Sequence, residues 1–329
     1  MTSATVLELP RIEPPDGSAR TAALSLAGAD DTVATPAGPL GLGKLATVAS
    51  WLAGCQGTCP PRRLRTPRVV VFAAEHGITE RGVSSHGADA AGKLVAEINV
   101  GGGAVGALAQ AANAGTRVVE MEPAARPIDT ADAMTAEEAE SAVRKGMEMA
   151  DAEVDGGADL LVASSVGAGA TTPAAVLIGT LTDTEPVAVV GRGSGIDDTA
   201  WMRKTSAIRD AMRRAKPRLS QPMELLAAAG GADLAGLTGF LIQAAVRRTP
   251  VLLGGVTVLA AAVVAEELAP GARDWWLAAS STTEPAHAVA LQHLDLEPLL
   301  DLRLGGDAPT AGLLALPLVT AAAWLLADA

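Results

Sequence analysis

Gly157 to Thr172 reads GADLLVASSVGAGATT and holds the residue types best suited to chemistry. Leu160 to Ala163 is a short apolar run, the mark of a buried strand. Gly167, Gly169, Thr171 and Thr172 follow it, and Pro173 opens a helical pattern. Strand, glycine-rich turn and helix start can together hold a phosphate. Backbone N–H groups converge there, the helix dipole favours negative charge, and missing Cβ atoms let a ligand approach. The spacing is neither a Walker loop nor G-x-G-x-x-G, and a plain tight turn would read the same way.

Other candidates sit at similar positions. RVVVFAA, residues 68–74, is a β-branched run that ends at Glu75-His76-Gly77, and a polar loop with Ser84, Ser85 and His86 comes next. Val187 to Val190 runs into a glycine-rich exit holding Gly193, and Lys204 lies in the early turns of the following helix. Arg273 to Ala279 ends at Ser280-Ser281. Ligands of open parallel sheets bind beyond the carboxyl ends of the strands, where these residues fall. Asp197-Asp198 suit helix capping as well as ligand contact.

Those candidates need elements to position them. Six strands are expected, over 68–74, 117–121, 160–163, 187–190, 250–253 and 273–279, with helices between. Thr135 and Glu138 form a capping box ahead of a long helix through Val154. The repeated strand, polar or glycine exit and helix predict an α/β fold. It is a Rossmann-like parallel six-stranded sheet with helices on both faces, plus a smaller helical domain from the chain ends. The expected division is a mobile segment over 1–32, a small helical domain from 33–66 and 281–329, and a large α/β domain over 67–280.

Composition limits the function classes. The formal charge is −12, and the longest basic cluster is Arg62-Arg63-Leu64-Arg65, so nucleic acid is not an expected partner. An anionic substrate must therefore be gripped locally. Cys55 and Cys59 complete no zinc site and read as ordinary thiols of a reducing cytoplasm. The start of the chain has no secretory pattern. The apolar end is shorter than the roughly 20 residues of a span, holds Pro317, and reads as a buried helix, so no membrane is expected. The first strand carries no G-x-G-x-x-G, which argues against a dinucleotide-dependent oxidoreductase.

Seven motifs in one order carry a resemblance. They are Glu75-His76-Gly77, the Gly-Ala-Gly-Ala-Thr-Thr loop, residues 193–198, Gly230-Gly231-Ala232-Asp233, Arg247-Arg248-Thr249-Pro250, Glu284-Pro285 and Arg303-Leu304-Gly305. From about Thr35 onward the chain resembles the nicotinate-nucleotide:dimethylbenzimidazole phosphoribosyltransferase family of cobalamin lower-ligand biosynthesis. The resemblance implies a homodimer and transfer of ribosyl phosphate from nicotinate mononucleotide to a benzimidazole nitrogen, with release of nicotinate. That reaction requires no metal or redox cofactor. Gly167 and Gly169 with their backbone N–H groups, the Thr171 and Thr172 hydroxyls and the Lys204 charge are expected to hold the phosphate. By the likeness the loop around Ser84 and the exit at Ser280-Ser281 border the same pocket, and His86, Ser165 and Gly193 are further expected substrate-binding residues.

Departures from the family pattern fall on the strand exits. The family usually carries a carboxylate at Ser165, an Asp at Gly254, Gly-His-Arg over 279–281, an aromatic at His86 and Lys-Pro at Thr35-Pro36. Its catalytic Glu follows Arg-Leu-Gly, where Gly306 stands here. Asp307 is then the expected base, with Glu75 behind it. The same losses leave a second reading open, a retasked paralogue that binds a nucleotide or ribazole without turning it over.

Overall fold

The computed structural model describes residues 9–28, 42–87, 90–124, 126–305 and 309–327. Asp307 lies outside them, as do Thr35 and Pro36. The strands are β1 (Pro67–Ala73), β2 (Gly115–Glu120), β3 (Leu160–Val166), β4 (Val251–Leu253), β5 (Trp276–Ala278), β6 (Ser280–Thr282) and β7 (Leu300–Leu304). The helices of the first half are α1 (Gly17–Leu26), α2 (Lys44–Gln56), α3 (Ala90–Asn99), α4 (Gly103–Ala111), α5 (Ala136–Asp155) and α6 (Thr171–Leu181). Those of the second half are α7 (Pro186–Val189), α8 (Asp198–Ala215), α9 (Pro222–Ala229), α10 (Ala232–Val246), α11 (Val256–Leu268), α12 (Pro285–Leu294) and α13 (Thr310–Ala327).

The main sheet is parallel and runs β2-β1-β3-β4-β5. Its central strands are buried on both faces, which is why they read as unbroken apolar runs rather than alternating ones. The sheet has five strands, not the expected six. Residues 187–190 are not a strand: Pro186 takes the first helical position behind Glu185, and the segment closes one helical turn, α7. The stretch from Arg273 begins as a 3-10 turn through Trp275, and only Trp276 to Ala278 pair with β4. Beyond that edge β6 and β7 form a separate two-stranded parallel sheet.

The N-terminal stretch expected to be mobile holds a docked helix. Asp16 caps α1, whose buried Ala19 and Ala23 face inward. The Arg20 guanidinium donates to the Asp274 carbonyl, and the Trp275 indole donates to the Glu13 carbonyl. Two stretches, Ala90–Ala111 and Thr310–Ala327, are long and apolar enough to cross a membrane by composition. The first is broken by turns at Val100 and Gly101, between α3 and α4. The second is α13, which packs on β3 so closely that a Cβ on Gly312 would meet Val162 Cγ1 at 2.2 Å.

Close backbone approach replaces aromatic filling in this core. The chain has two Phe and no Tyr. The two rings, Phe72 and Phe240, meet edge to face at 5.5 Å between centroids. Beside them α5 and α10 cross at almost bare backbone. A Cβ on Gly146 would lie 1.8 Å from the Gly236 carbonyl oxygen, and one on Gly239 would lie 2.0 Å from that of Val143.

That crossing gives an expected outcome. Alanine favours a helix over glycine by about 1 kcal/mol, yet Gly239→Ala is expected to destabilise by about 1–3 kcal/mol through overpacking. Urea unfolding measures the difference. A more stable variant would mean that the two helices can separate without cost.

Candidate active site

The turn between β3 and α6 forms one wall of a cavity of about 370 Å³ at the carboxyl edge of the sheet. Gly169 has φ +80°, a conformation glycine adopts freely. A Cβ there would lie 2.8 Å from Thr79 Cγ2, and one on Gly167 would lie 2.2 Å from the Ala74 carbonyl oxygen. The turn is therefore pressed against the segment that leaves β1. Among the described residues, the N–H groups of Gly167, Ala168 and Gly169 donate to no protein acceptor. They remain available to an anion in the cavity.

The opposite wall comes from two loops tied to each other. Ser84 and Ser194 share a hydrogen bond of 3.3 Å, the Ser85 N–H donates to Ser194 Oγ at 2.8 Å, and Ser85 Oγ donates to the Ser194 carbonyl at 2.7 Å. The Arg203 guanidinium adds donations to the Arg81 and Gly82 carbonyls. Val83, Ala90, Ala91 and Leu94 make the remaining lining largely apolar, and His86 stands exposed at its margin.

A buried cation supports the phosphate-type end. Lys204 is completely buried. Its ammonium donates to Thr171 Oγ1 at 2.8 Å and to the Gly191 carbonyl at 3.2 Å, and Glu284 Oε2 lies 3.9 Å away. Glu284 also accepts the Gly193 N–H at 2.7 Å. Because Thr171 Oγ1 accepts from Lys204, its own proton is free to point elsewhere. Thr171 therefore reaches the cavity as a donor backed by a positive charge.

A buried anion supports the other end. Ser165, the last polar residue of β3, lines the cavity. Its hydroxyl donates to Asp233 Oδ2 at 3.2 Å, and His76 Nε2 lies 3.2 Å from the same oxygen. Ser165, His76 and Asp233 are all buried. Gly231 lets them close up, since a Cβ there would lie 2.5 Å from His76 Cε1 and 3.0 Å from Asp233 Oδ1.

The structure gathers Ser84, His86, Ser165, Gly167, Gly169, Thr171 and Gly193 around one cavity. Lys204 stands behind Thr171 rather than on the surface of the cavity. The Gly193 N–H is already committed to Glu284. Thr172 does not line the cavity: it points into the core, fully buried, and its hydroxyl has no hydrogen-bond partner among the described residues. Ser280 and Ser281 are held in the β6–β7 sheet, where Ser280 Oγ donates to the Ser281 carbonyl and Ser281 pairs with Asp301. Glu75 follows β1 but does not line the cavity. Three contributors went unassigned in the sequence reading: Ser194, Glu284 and Asp233. Asp233 had a signal, being the one charged side chain in the otherwise apolar ADLAGLTGFLIQAAV of α10.

Among the described residues no three His, Cys, Asp or Glu side chains converge as metal ligands. Cys55 and Cys59 are not bonded to each other, and burial pushes the Cys55 thiol up. A larger cavity of about 1040 Å³ lies at the opposite, amino-terminal edge of the sheet, between Arg62, Arg65, Asp159 and Arg248. It is remote from every strand exit.

Comparison with known proteins gives one consistent likeness. The family model described as phosphoribosyltransferase matches residues 12–329. The nicotinate-nucleotide–dimethylbenzimidazole phosphoribosyltransferase of Mycobacterium avium (strain 104) is 49% identical over 332 residues, covering 96% of this chain and 94% of the relative. That of Mycobacterium leprae (strain TN) is 47% identical over 335 residues, with the same coverage of 96% and 94%. The crystal structure of CobT from Thermus thermophilus superposes with a TM-score of 0.86 at 34% identity, covering 94% of this chain and 96% of that one.

Two outcomes test the geometry. Lys204→Met leaves Glu284 buried without its cation, and a cost of about 3–5 kcal/mol is expected in denaturant unfolding. Lys204→Met with Glu284→Gln should recover part of it; a single variant within about 1 kcal/mol of wild type would contradict a buried pair. His287, buried in the first turn of α12, has its pKa pushed down to about 4 by burial. The unfolded chain, near 6.5, binds the proton more readily, so this contribution is whole above pH 6.5 and fades as pH falls towards 4. Wild type should lose up to about 3 kcal/mol more over that range than His287→Gln does.

Proposed function

The chain belongs to the nicotinate-nucleotide–dimethylbenzimidazole phosphoribosyltransferase family, and from that membership we propose that it transfers ribosyl phosphate from nicotinate mononucleotide to dimethylbenzimidazole, yielding α-ribazole phosphate and nicotinate. The observation that carries the reading is the Thr171 hydroxyl, which accepts from the buried Lys204 ammonium beside the open N–H groups of Gly167, Ala168 and Gly169. That donor set suits a phosphate monoester. The apolar lining from Val83, Ala91 and Leu94 suits a flat aromatic base.

In the reaction, the bond between the sugar carbon and the pyridinium nitrogen breaks, and its electron pair returns to the nicotinate ring. A lone pair on the benzimidazole nitrogen forms the new bond. The positively charged pyridinium is a good leaving group, so the protein need not protonate it. The chain's work is to hold phosphate and base in line and to receive the ring proton. Asp307 is the proposed base, with Glu75 as the alternative carboxylate. A homodimer, a small helical domain from both chain ends and a cytoplasmic setting belong to the same proposal. Exposed Val100, Leu302 and Trp324 are compatible with a subunit contact.

The test is release of labelled nicotinate from nicotinate mononucleotide with dimethylbenzimidazole present. Turnover should depend on both substrates. Thr171→Val should raise KM for the mononucleotide roughly tenfold or more, as expected when a hydrogen bond to a charged group is removed. No nicotinate release by the wild type would overturn the reading.

A further inference from the structure

The two loops that face the turn from Gly167 to Ala170 are not equally held. The exit loop after α7 is fixed by its own bonds. The Gly193 N–H donates to Glu284 Oε1 at 2.7 Å, and the Gly195 and Ile196 N–H groups donate to the Arg192 carbonyl at 3.0 and 3.2 Å. The Arg192 guanidinium returns a bond to the Ile196 carbonyl at 2.9 Å. None of these bonds involves the loop across the cavity.

The loop over 83–87 is held differently. Arg203 grips its base at the Arg81 and Gly82 carbonyls, at 3.2 and 3.1 Å. Beyond Gly82, among the described residues, no backbone group of residues 83–86 bonds to another backbone group. One bond is internal, from the His86 N–H to Ser84 Oγ at 3.1 Å. Every other hydrogen bond of the tip goes to Ser194. That residue accepts the Ser85 N–H at its Oγ, accepts Ser85 Oγ at its carbonyl, and shares a bond with Ser84 Oγ. Ser85, His86 and Gly87 are exposed, and of this loop Val83 alone is buried. Segments with few buried contacts and exposed hydrogen bonds open locally, well short of global unfolding. Yet Val83, Ser84 and His86 line the cavity beside Ala91 and Leu94, at the end that suits a flat base.

We propose that Ser194 is a positioning residue for the base: carried on the fixed loop, it latches the 84–86 tip and so keeps the wall of the base end in place before the ligand arrives. The inference rests on the ribosyl-transfer reading and adds to it which residue pre-forms the acceptor site. A wall already in place spares the ligand the cost of ordering it. The phosphate end does not share this dependence, because Thr171 is held by Lys204 and Gly193 by Glu284. Ser194→Ala removes the acceptor of the Ser85 N–H and keeps the carbonyl. Ser194→Thr returns the hydroxyl.

The experiment compares the whole wild-type protein with Ser194→Ala and Ser194→Thr. By hydrogen exchange, the Ser85 amide should exchange about two- to tenfold faster in Ser194→Ala, the range for one lost hydrogen bond, and return towards wild type in Ser194→Thr. In the nicotinate-release assay, Ser194→Ala should raise KM for dimethylbenzimidazole about three- to tenfold, well beyond its effect on kcat or on the KM for nicotinate mononucleotide, and Ser194→Thr should restore it. The urea midpoint should stay at the wild-type value, since the tip opens without unfolding the rest. A lowered midpoint with both KM values raised alike would reduce Ser194 to a structural role and overturn the inference. Unchanged exchange at Ser85 or an unchanged base KM would overturn it too, while the transfer reaction stands. Absence of nicotinate release by wild type removes the transfer reading. Calorimetric binding of dimethylbenzimidazole to wild type and Ser194→Ala, read with the Ser85 exchange, then still decides whether the latch pre-forms the site.

Discussion

Two buried charges hold this site, and neither touches the cavity wall directly. Lys204 is fixed behind Thr171 and Gly191, and Asp233 behind Ser165 and His76. Burying a charge is costly unless it is paired and hydrogen-bonded, so each must be held by its neighbours at all times. The consequence reaches the chain on both sides. Glu284, at the start of α12, binds the Gly193 N–H and thereby ties the exit loop after α7 to the Lys204 cation. Asp233, at the start of α10, ties the end of β3 to the segment after β1. Loops are ordinarily the mobile part of an α/β fold; here two of them are anchored from underneath.

That anchoring depends on backbones that approach more closely than side chains would allow. The glycine contacts between α5 and α10 draw α10 onto the sheet, and α10 begins with Ala232 and Asp233. Gly231 then clears the space in which His76 and Asp233 meet. A core filled by large aromatic rings would set these elements further apart. The scarcity of Phe and Tyr is part of how a short side chain such as Asp233 reaches the end of β3.

Periodicity shows most of the frame in the sequence. Doubly buried strands appear as apolar runs, and β1 and β3 stand out in that way. The capping box at Thr135 marks the start of α5, and the structure contains it. The error at 187–190 has a local cause. Four small apolar residues suit a strand or a helical turn equally, and the preceding proline decides for the turn. The site is half legible. Gly167, Gly169 and Thr171 are close in sequence and share one turn, so a linear pattern reveals them. Asp233 lies 68 residues from Ser165 and 157 from His76. No local pattern encodes that meeting; only the parallel strand order and the α5–α10 crossing bring it about. Ser280 and Ser281, expected to border the pocket, are held in the β6–β7 sheet, which the linear sequence does not show. A polar strand exit resembles a ligand loop until a second small sheet claims it.

The resemblance makes Ser165 look like a lost carboxylate, since the family usually carries one there. The structure supplies a physical reason to read it as a carboxylate moved back by one hydrogen bond. A carboxylate at the surface of a cavity of about 370 Å³ would share that space with a phosphate. Their repulsion falls with distance and rises as water is excluded. Asp233 instead keeps its charge inside the core, hydrogen-bonded to Ser165 and His76. Lys204 behind Thr171 is the same device with the sign reversed. The chain as a whole carries a net charge of −12 and offers an anionic substrate no long-range attraction. Selectivity must then come from dipoles whose directions are fixed before the ligand arrives, which need no reorganisation during reaction. The Thr171 hydroxyl meets that requirement, because it accepts from the buried Lys204 ammonium and its own proton is left for the ligand.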